Sequence, residues 1–269
     1  MEVVMENLSK VIYEIHEIDE MAARKTQINQ VHPLGKLLVT VLYIVCVVSF
    51  HKYDIIGILP FAVYPLIMFA LADIPIKKGF RKLRIILPLV CFVGVFNPFF
   101  DHLPMFKIGT FIVTGGMISM VTLIIKGIFA LLASFLLIAT TGIEKICHAL
   151  RLLHIPNILV TQILLTYRYI TVLLSEANAV VQAYSLRAPG EKGVKYKIWG
   201  SLIGQLLLRS IDRAGKLYDS MLLRGFQGEY YYLNAGKFTA LDYVYLFVWI
   251  SMLLVLRLVN ITGMFTAFI

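Results

Sequence analysis

The sequence is poor in charge. Asp, Glu, Lys and Arg make up 15% of its 269 residues, against 59% hydrophobic residues and a mean hydropathy of +0.81. A soluble domain averages about 25% charged and about 45–50% apolar residues. A water-soluble globule is therefore excluded, and so is disorder, which needs the polar composition missing here. Cysteine is scarce and odd in number: Cys46, Cys91 and Cys147, with no Cys-x-x-Cys. Neither a disulfide framework nor a thiolate metal site is expected. Cys46 and Cys91 lie in long apolar runs, where free cysteine packs as a small hydrophobe. No basic-then-apolar leader opens the chain, whose first 30 residues are polar and mixed in charge.

The motifs of chemistry are missing as well. There is no Gly-x-x-x-x-Gly-Lys-[Ser/Thr] loop, so the chain is not expected to bind ATP itself, and no His-Glu-x-x-His. His148 and His154 are six apart, off a single helix face, and do not read as a shared metal site. Asp101-His102 with Met105 could meet a divalent cation but reads as a solvated loop. A membrane enzyme acting on lipid needs clustered carboxylates or a nucleophile–base pair, and none is present. A self-sufficient channel or secondary transporter, the alternative of a different class, needs polar residues along several spans or internal repeats. Lys126 is the one charge deep in an apolar run; it is a functional residue of the membrane interior, or it snorkels or lines a helix break beside Gly127.

What the chain does have is long apolar runs. Residues 1–33 read as a polar cytoplasmic arm. Residues 34–141 hold four membrane segments: Leu34–Phe50, Ile55–Ala72, Arg84–Phe100, and the stretch 111–141, read as one long span or two short pieces. Pro60 and Pro65 are tolerable in the second, where neighbours can satisfy freed carbonyls. Phe96-Asn97-Pro98 reads as a helix end that shapes the bundle, with no chemistry of its own. Residues 241–269 hold a last span, Leu241–Leu258, and a nearly uncharged tail.

The net charge of +9 comes from 25 Lys+Arg against 16 Asp+Glu. On a membrane protein it reads as cytoplasmic charge facing anionic lipid, and no nucleic acid is expected as a partner. Lys77, Lys78, Arg81, Lys82 and Arg84 put residues 73–84 in the cytoplasm, with the N-terminus on the same side. A single crossing by 111–141 keeps the many Lys and Arg of residues 142–240 cytoplasmic, so one crossing is favoured.

That segment, 142–240, reads as three helices. A short one opens at Thr141-Gly142-Ile143-Glu144 with a Thr141 capping box and ends near His154-Ile155-Pro156-Asn157. A second starts with Asn157 as N-cap and reaches Arg187, stopped by Pro189-Gly190. A third runs from about Trp199 to Arg224, with Gly225 as its stop. In the third, Ile203, Leu207, Ile211, Ala214, Tyr218 and Met221 form an apolar stripe. Arg209, Asp212, Arg213, Lys216 and Asp219 form the opposite one, with Asp212 and Lys216 spaced to pair. Both long helices end alike, in Ser185-Leu186-Arg187-Ala188 and in Leu223-Arg224-Gly225. An arginine there complements the helix dipole; at the tip of a rigid rod it also makes a charged knob for a partner's groove.

These paired arginine motifs resemble the signatures of the transmembrane T component of energy-coupling-factor importers, and within it the CbiQ group of cobalt transporters. His32-Pro33-Leu34-Gly35-Lys36-Leu37, Phe96-Asn97-Pro98, Trp199-Gly200-Ser201-Leu202, Leu207-Leu208-Arg209-Ser210-Ile211-Asp212-Arg213-Ala214 and Leu223-Arg224-Gly225-Phe226-Gln227-Gly228 fit as well, and the likeness covers essentially the whole chain. The family signature is often Ala-Arg-Gly, and the flanks of Arg187 depart from it. The resemblance implies an all-α integral membrane protein of about five spans with a cytoplasmic coupling region of three helices. It implies two ABC-type ATPase partners, which carry the ATP and Mg, and a CbiM-like substrate-binding membrane subunit, with or without a small CbiN-like one. The chain itself would bind no cofactor and no metal. Ser185, Leu186, Arg187, Ala188, Leu223, Arg224 and Gly225 would dock on the ATPases, and the Arg209–Asp219 stripe would form the coupling-helix interface. The setting implied is a bacterial or archaeal cell membrane, and the cargo a divalent metal, cobalt before nickel or a vitamin.

Overall fold

The computed structural model describes residues 2–24, 26–100, 104–108, 111–188, 195–228 and 238–258. They are almost entirely helical, as the composition requires. The elements run α1 (Glu2–Ala23), α2 (Gln27–Gln30), α3 (Pro33–Val48), α4 (Ile55–Ile58), a 3-10 turn (Leu59–Ala62), α5 (Val63–Leu71), α6 (Ile76–Val95), α7 (Asn97–Phe100), strands β1 (Pro104–Ile108) and β2 (Phe111–Thr114), then α8 (Gly115–Thr141), α9 (Ile143–Leu152), α10 (Asn157–Arg187), α11 (Tyr196–Leu223) and α12 (Ala240–Leu258). The polar arm is thus a helix, with Lys10 paired to Glu6 at 2.6 Å one turn away. The loop after the third apolar segment contains an antiparallel hairpin, β1 with β2. The chain divides into two units, Met21–Gly142 with Gly236–Ile269, and Met1–Glu20 with Ile143–Ala235.

In the first unit α8 is one unbroken helix of 27 residues, so residues 115–141 form one helix and not two. At 1.5 Å per residue it measures about 40 Å, beyond the roughly 30 Å of a hydrocarbon core. Gly115-Gly116 opens this helix instead of breaking it. Gly127 stays inside it because a Cβ there would lie 2.9 Å from Val90 of α6: the missing side chain is what lets the two helices touch. By length and composition α8, α10 and α12 can each cross a bilayer. Ile55–Leu71 with Ile76–Arg84 reaches that length only as a pair bent by 119°, and Pro33–Val48 and Ile86–Val95 are shorter apolar helices. The apolar segments of the sequence reading thus differ in their capacity to span, and the second reaches it only as part of a bent pair. Pro60 and Pro65 remove two amide donors, and the helix passes through a 3-10 turn between α4 and α5.

The core fills the gap those prolines leave. Tyr43 donates its hydroxyl to the Phe61 carbonyl at 3.0 Å, and its ring stacks on Tyr64 at 4.3 Å. The Tyr64 hydroxyl meets Thr40 Oγ1 at 3.1 Å, and Trp249 of α12 sets its edge against the Tyr64 ring. Two lysines finish the helix ends. Lys126 Nζ donates to the carbonyls of Val48 and Phe50 at the carboxyl end of α3, and Lys36 Nζ, 1% exposed, donates to Thr140 at the carboxyl end of α8. Lys126 thus caps the carboxyl end of the neighbouring helix α3.

The α12 start is clipped to the α3 start. Asp242 accepts from the His32 backbone N–H and from the N–H and Oγ1 of Thr239, each at 2.7 Å, while the His32 ring stacks on Phe238. Asn97 donates to Ser119 Oγ at 3.1 Å, tying the Phe96-Asn97-Pro98 turn to α8. Thr141 forms no capping box. It is the last residue of α8, its buried hydroxyl has no partner, and Gly142 at φ 77° ends the helix.

Candidate docking surface

The second unit is built from α9, α10, α11 and most of α1. Cys147, Val160 and Leu164 make its small core, with Ile143, Leu150 and Ile155 packed around it, so Cys147 is a packing residue. Tyr167 of α10 donates to Asp19 of α1 at 2.6 Å. The long helix runs over Asn157–Arg187, the bounds its sequence suggests, although Asn157 is its first helical residue and Pro156 stands at the N-cap. Pro fixes φ near its helical value, which suits it to a helix start. Pro189-Gly190, read as its stop, lies outside the described residues.

Arg187 is the last residue of α10 and is exposed. Leu186 beside it is 83% exposed, and Ser185 returns its hydroxyl to the Gln182 carbonyl. The other arginine end is built differently. Gly225, at φ 79°, lets its N–H reach the Leu222 carbonyl and the Phe226 N–H reach Met221, two bonds that close α11 and leave Arg224 as its C-cap. Leu223 is 90% exposed, and Arg224 is exposed with it. Each rod therefore ends in an exposed leucine–arginine pair.

The cleft between α10 and α11, about 280 Å³, is lined by Arg187, Tyr184 and Ala183 on one side and by Ser201, Gln205 and Arg209 on the other. Two arginines that the sequence assigns to different surfaces are thus brought to one place. The remaining stripe residues separate. Asp212, Lys216 and Asp219 are exposed, whereas Arg213 turns inward and pairs with Glu176 of α10. The ion pair of this helix among the described residues runs between helices, not along the stripe from Asp212 to Lys216.

The apolar stripe of α11 lies open in the isolated chain. Ile203, Leu207, Ile211 and Tyr218 are each more than half exposed, and α11 has no buried residue. Leu202, Leu206, Ser210, Arg213 and Leu217, one step around the helix, are half-buried, as are Ile198, Gly204 and Met221. One position is about 100° of rotation. Asp101 and His102 lie outside the described residues, and among those described no group of three or more His, Cys, Asp or Glu stands together.

Residues 24–232, which contain both arginine ends, match the family model described as CbiQ, cobalt transport protein. The chain belongs to this family. CbiQ-type chains are membrane components of transporters rather than catalysts, and this one is an all-α, multi-pass membrane protein of the energy-coupling-factor transmembrane group. The energy-coupling factor transporter transmembrane protein EcfT of Lactococcus lactis subsp. cremoris is 26% identical over 216 residues, 75% of this chain and 80% of its own. The cobalt transport protein CbiQ of Salmonella typhimurium is 30% identical over 108 residues, 39% of this chain and 48% of its own. The nickel permease LarQ of Lactiplantibacillus plantarum is 31% identical over 91 residues, 34% of this chain and 33% of its own. The aligned regions thus span about a third to a half of the length of these last two relatives.

Proposed function

We propose that the chain is the energy-coupling membrane subunit of a divalent-metal importer. It sits on two ABC-type ATPases, which hold the ATP and Mg, and passes their closure to a substrate-binding membrane subunit, CbiM-like and with or without a small CbiN-like companion. The observation that carries this reading is the pair of arginine-ended rods. Arg187 lines the cleft beside Ile198, near the start of α11, while Arg224 lies 26 residues farther along that helix, about 39 Å at 1.5 Å per residue. No single partner pocket holds both, so the spacing suits two separate docking sites, one per ATPase. In each, a guanidinium enters a groove and pairs with a carboxylate, with Leu186 or Leu223 supplying apolar contact.

This function puts the N-terminus and residues 142–240 in the cytoplasm, the side their positive charge favours. Although α10 is long and apolar enough to cross a bilayer, that hydropathy is concentrated in Ile158–Leu174. We place it at the cytoplasmic face with α11. The cargo is taken to be cobalt, from the name of the family and of its Salmonella member, with nickel next, from the name of LarQ.

The test is copurification from native membranes in mild detergent, with Arg187→Glu and Arg224→Glu in parallel. Reversing either charge costs the helix end only about 0.3–1 kcal/mol, so both variants should stay folded and monodisperse. Wild type is expected to carry an ABC-type ATPase and each variant to lose it. ATPase retained by both variants refutes the docking roles; wild type that elutes alone from native membranes refutes the subunit assignment. Uptake of radioactive cobalt and nickel by the reconstituted complex then separates the cargoes.

A further inference from the structure

Glu176 and Arg213 join the middle of α10 to the middle of α11. Their positions carry a regularity that the two arginine ends share. Glu176 stands 11 residues before Arg187, and Arg213 stands 11 residues before Arg224. Eleven residues are three helical turns to within about 20°, so each member of the pair lies on the same helix face as its own terminal arginine, about 16 Å away.

Among the described residues it is the ion pair that joins the two rods. No residue of α11 is buried, and on the helix face that carries Arg213 the leucines Leu202, Leu206 and Leu217 are only half-buried. Glu176 is the opposite case: its side chain is 19% exposed, its Oε1 takes the Arg213 guanidinium, and its buried Oε2 has no other partner. A carboxylate in that position depends on its one cation, and the pair therefore resists sliding more strongly than a leucine contact does.

We infer that the Glu176–Arg213 pair is the fulcrum that fixes the angle between α10 and α11, and through equal arms the positions of Arg187 and Arg224. Both are positioning residues. The inference gives the fulcrum its purpose from the coupling function proposed above, but the angle itself is a property of this chain alone. With arms of about 16 Å, a 20° change at the fulcrum moves each tip by about 6 Å, enough to take a guanidinium out of hydrogen-bonding reach of its carboxylate.

The experiment measures that angle without any partner. Spin labels are placed at Thr166 and Gln227, both exposed, in the full chain with Cys46, Cys91 and Cys147 replaced by alanine, reconstituted in lipid nanodiscs. The interlabel distance is read by pulsed electron resonance for the parent, Arg213→Met, Glu176→Met, and the exchanged pair Glu176→Arg with Arg213→Glu. Each single variant is expected to shift or broaden the distance by several ångströms, and the exchanged pair to restore it. Single variants with the parent's distribution overturn the inference. So does a shift the exchanged pair does not restore, because it then follows side-chain bulk and not the ion pair. Circular dichroism and monodispersity of each variant show that the helices persist. Because no ATPase is present, this result and the copurification test fail independently.

Discussion

Replacing Lys36 by methionine tests the helix-capping lysines of the membrane unit. Methionine keeps the length and the apolar stem and deletes only the ammonium. In the protein that ammonium is 1% exposed and donates to the Thr140 carbonyl at 3.0 Å, where the last turn of α8 has no amide of its own to offer. A hydrogen bond from a charged donor contributes about 1.5–3 kcal/mol, and a buried carbonyl left without a donor costs on the order of 1–3 kcal/mol. The opposing term is relief from burying the ammonium, which amounts to several kcal/mol for an isolated ion but falls where helix-end carbonyls surround it. The expected balance is a loss of about 1.5–3 kcal/mol, which is roughly a 12- to 150-fold shift toward the unfolded state. Trp249 lies in the same core against Tyr64, so its fluorescence reports the unfolding in detergent titrations. Lys36→Met at parent stability or above would refute the capping argument, because the desolvation of the ammonium would then outweigh its bond.

Three further outcomes follow from the same geometry. Gly142→Ala forces a side chain into φ 77° and ψ 152° and sets its Cβ 3.2 Å from Ala22; a loss of about 1–3 kcal/mol is expected in the same titration. Asp242→Asn keeps the shape but removes the charge and one acceptor from the three bonds to His32 and Thr239, so the chain should lose about 1.5–3 kcal/mol, read as a lower thermal midpoint. Leu186→Asp and Leu223→Asp, at the most exposed leucines of the rod tips, should leave stability within about 0.5 kcal/mol while weakening ATPase copurification.

The sequence made the rods and their stops legible because those signals are local. Asn157 to Arg187 and the end at Gly225 follow from helix formers bounded by breakers, and α10 and α11 end where those signals say. The face of α11 was harder. Its apolar residues form two adjacent stripes, Leu202, Leu206 and Leu217 beside Ile203, Leu207 and Ile211, and periodicity cannot say which meets α10. Arg213 was read into the charged stripe of the coupling-helix interface for the same reason; the position of Glu176, 37 residues earlier, is what pairs it with α10. Lys126 illustrates a longer reach. Its acceptors lie 76 and 78 residues before it, so the sequence left function, snorkelling and a helix break side by side and could not show that it closes a helix end. Pro60 and Pro65 were visible, but whether a span survives them depends on neighbours such as Tyr43, which the sequence does not place.

The uncovered apolar stripe of α11 has a consequence for the cell. A row of aliphatic side chains left open to water attracts chaperones and quality-control proteases, so Ile203, Leu207 and Ile211 need cover, from lipid or from protein, before the chain escapes them.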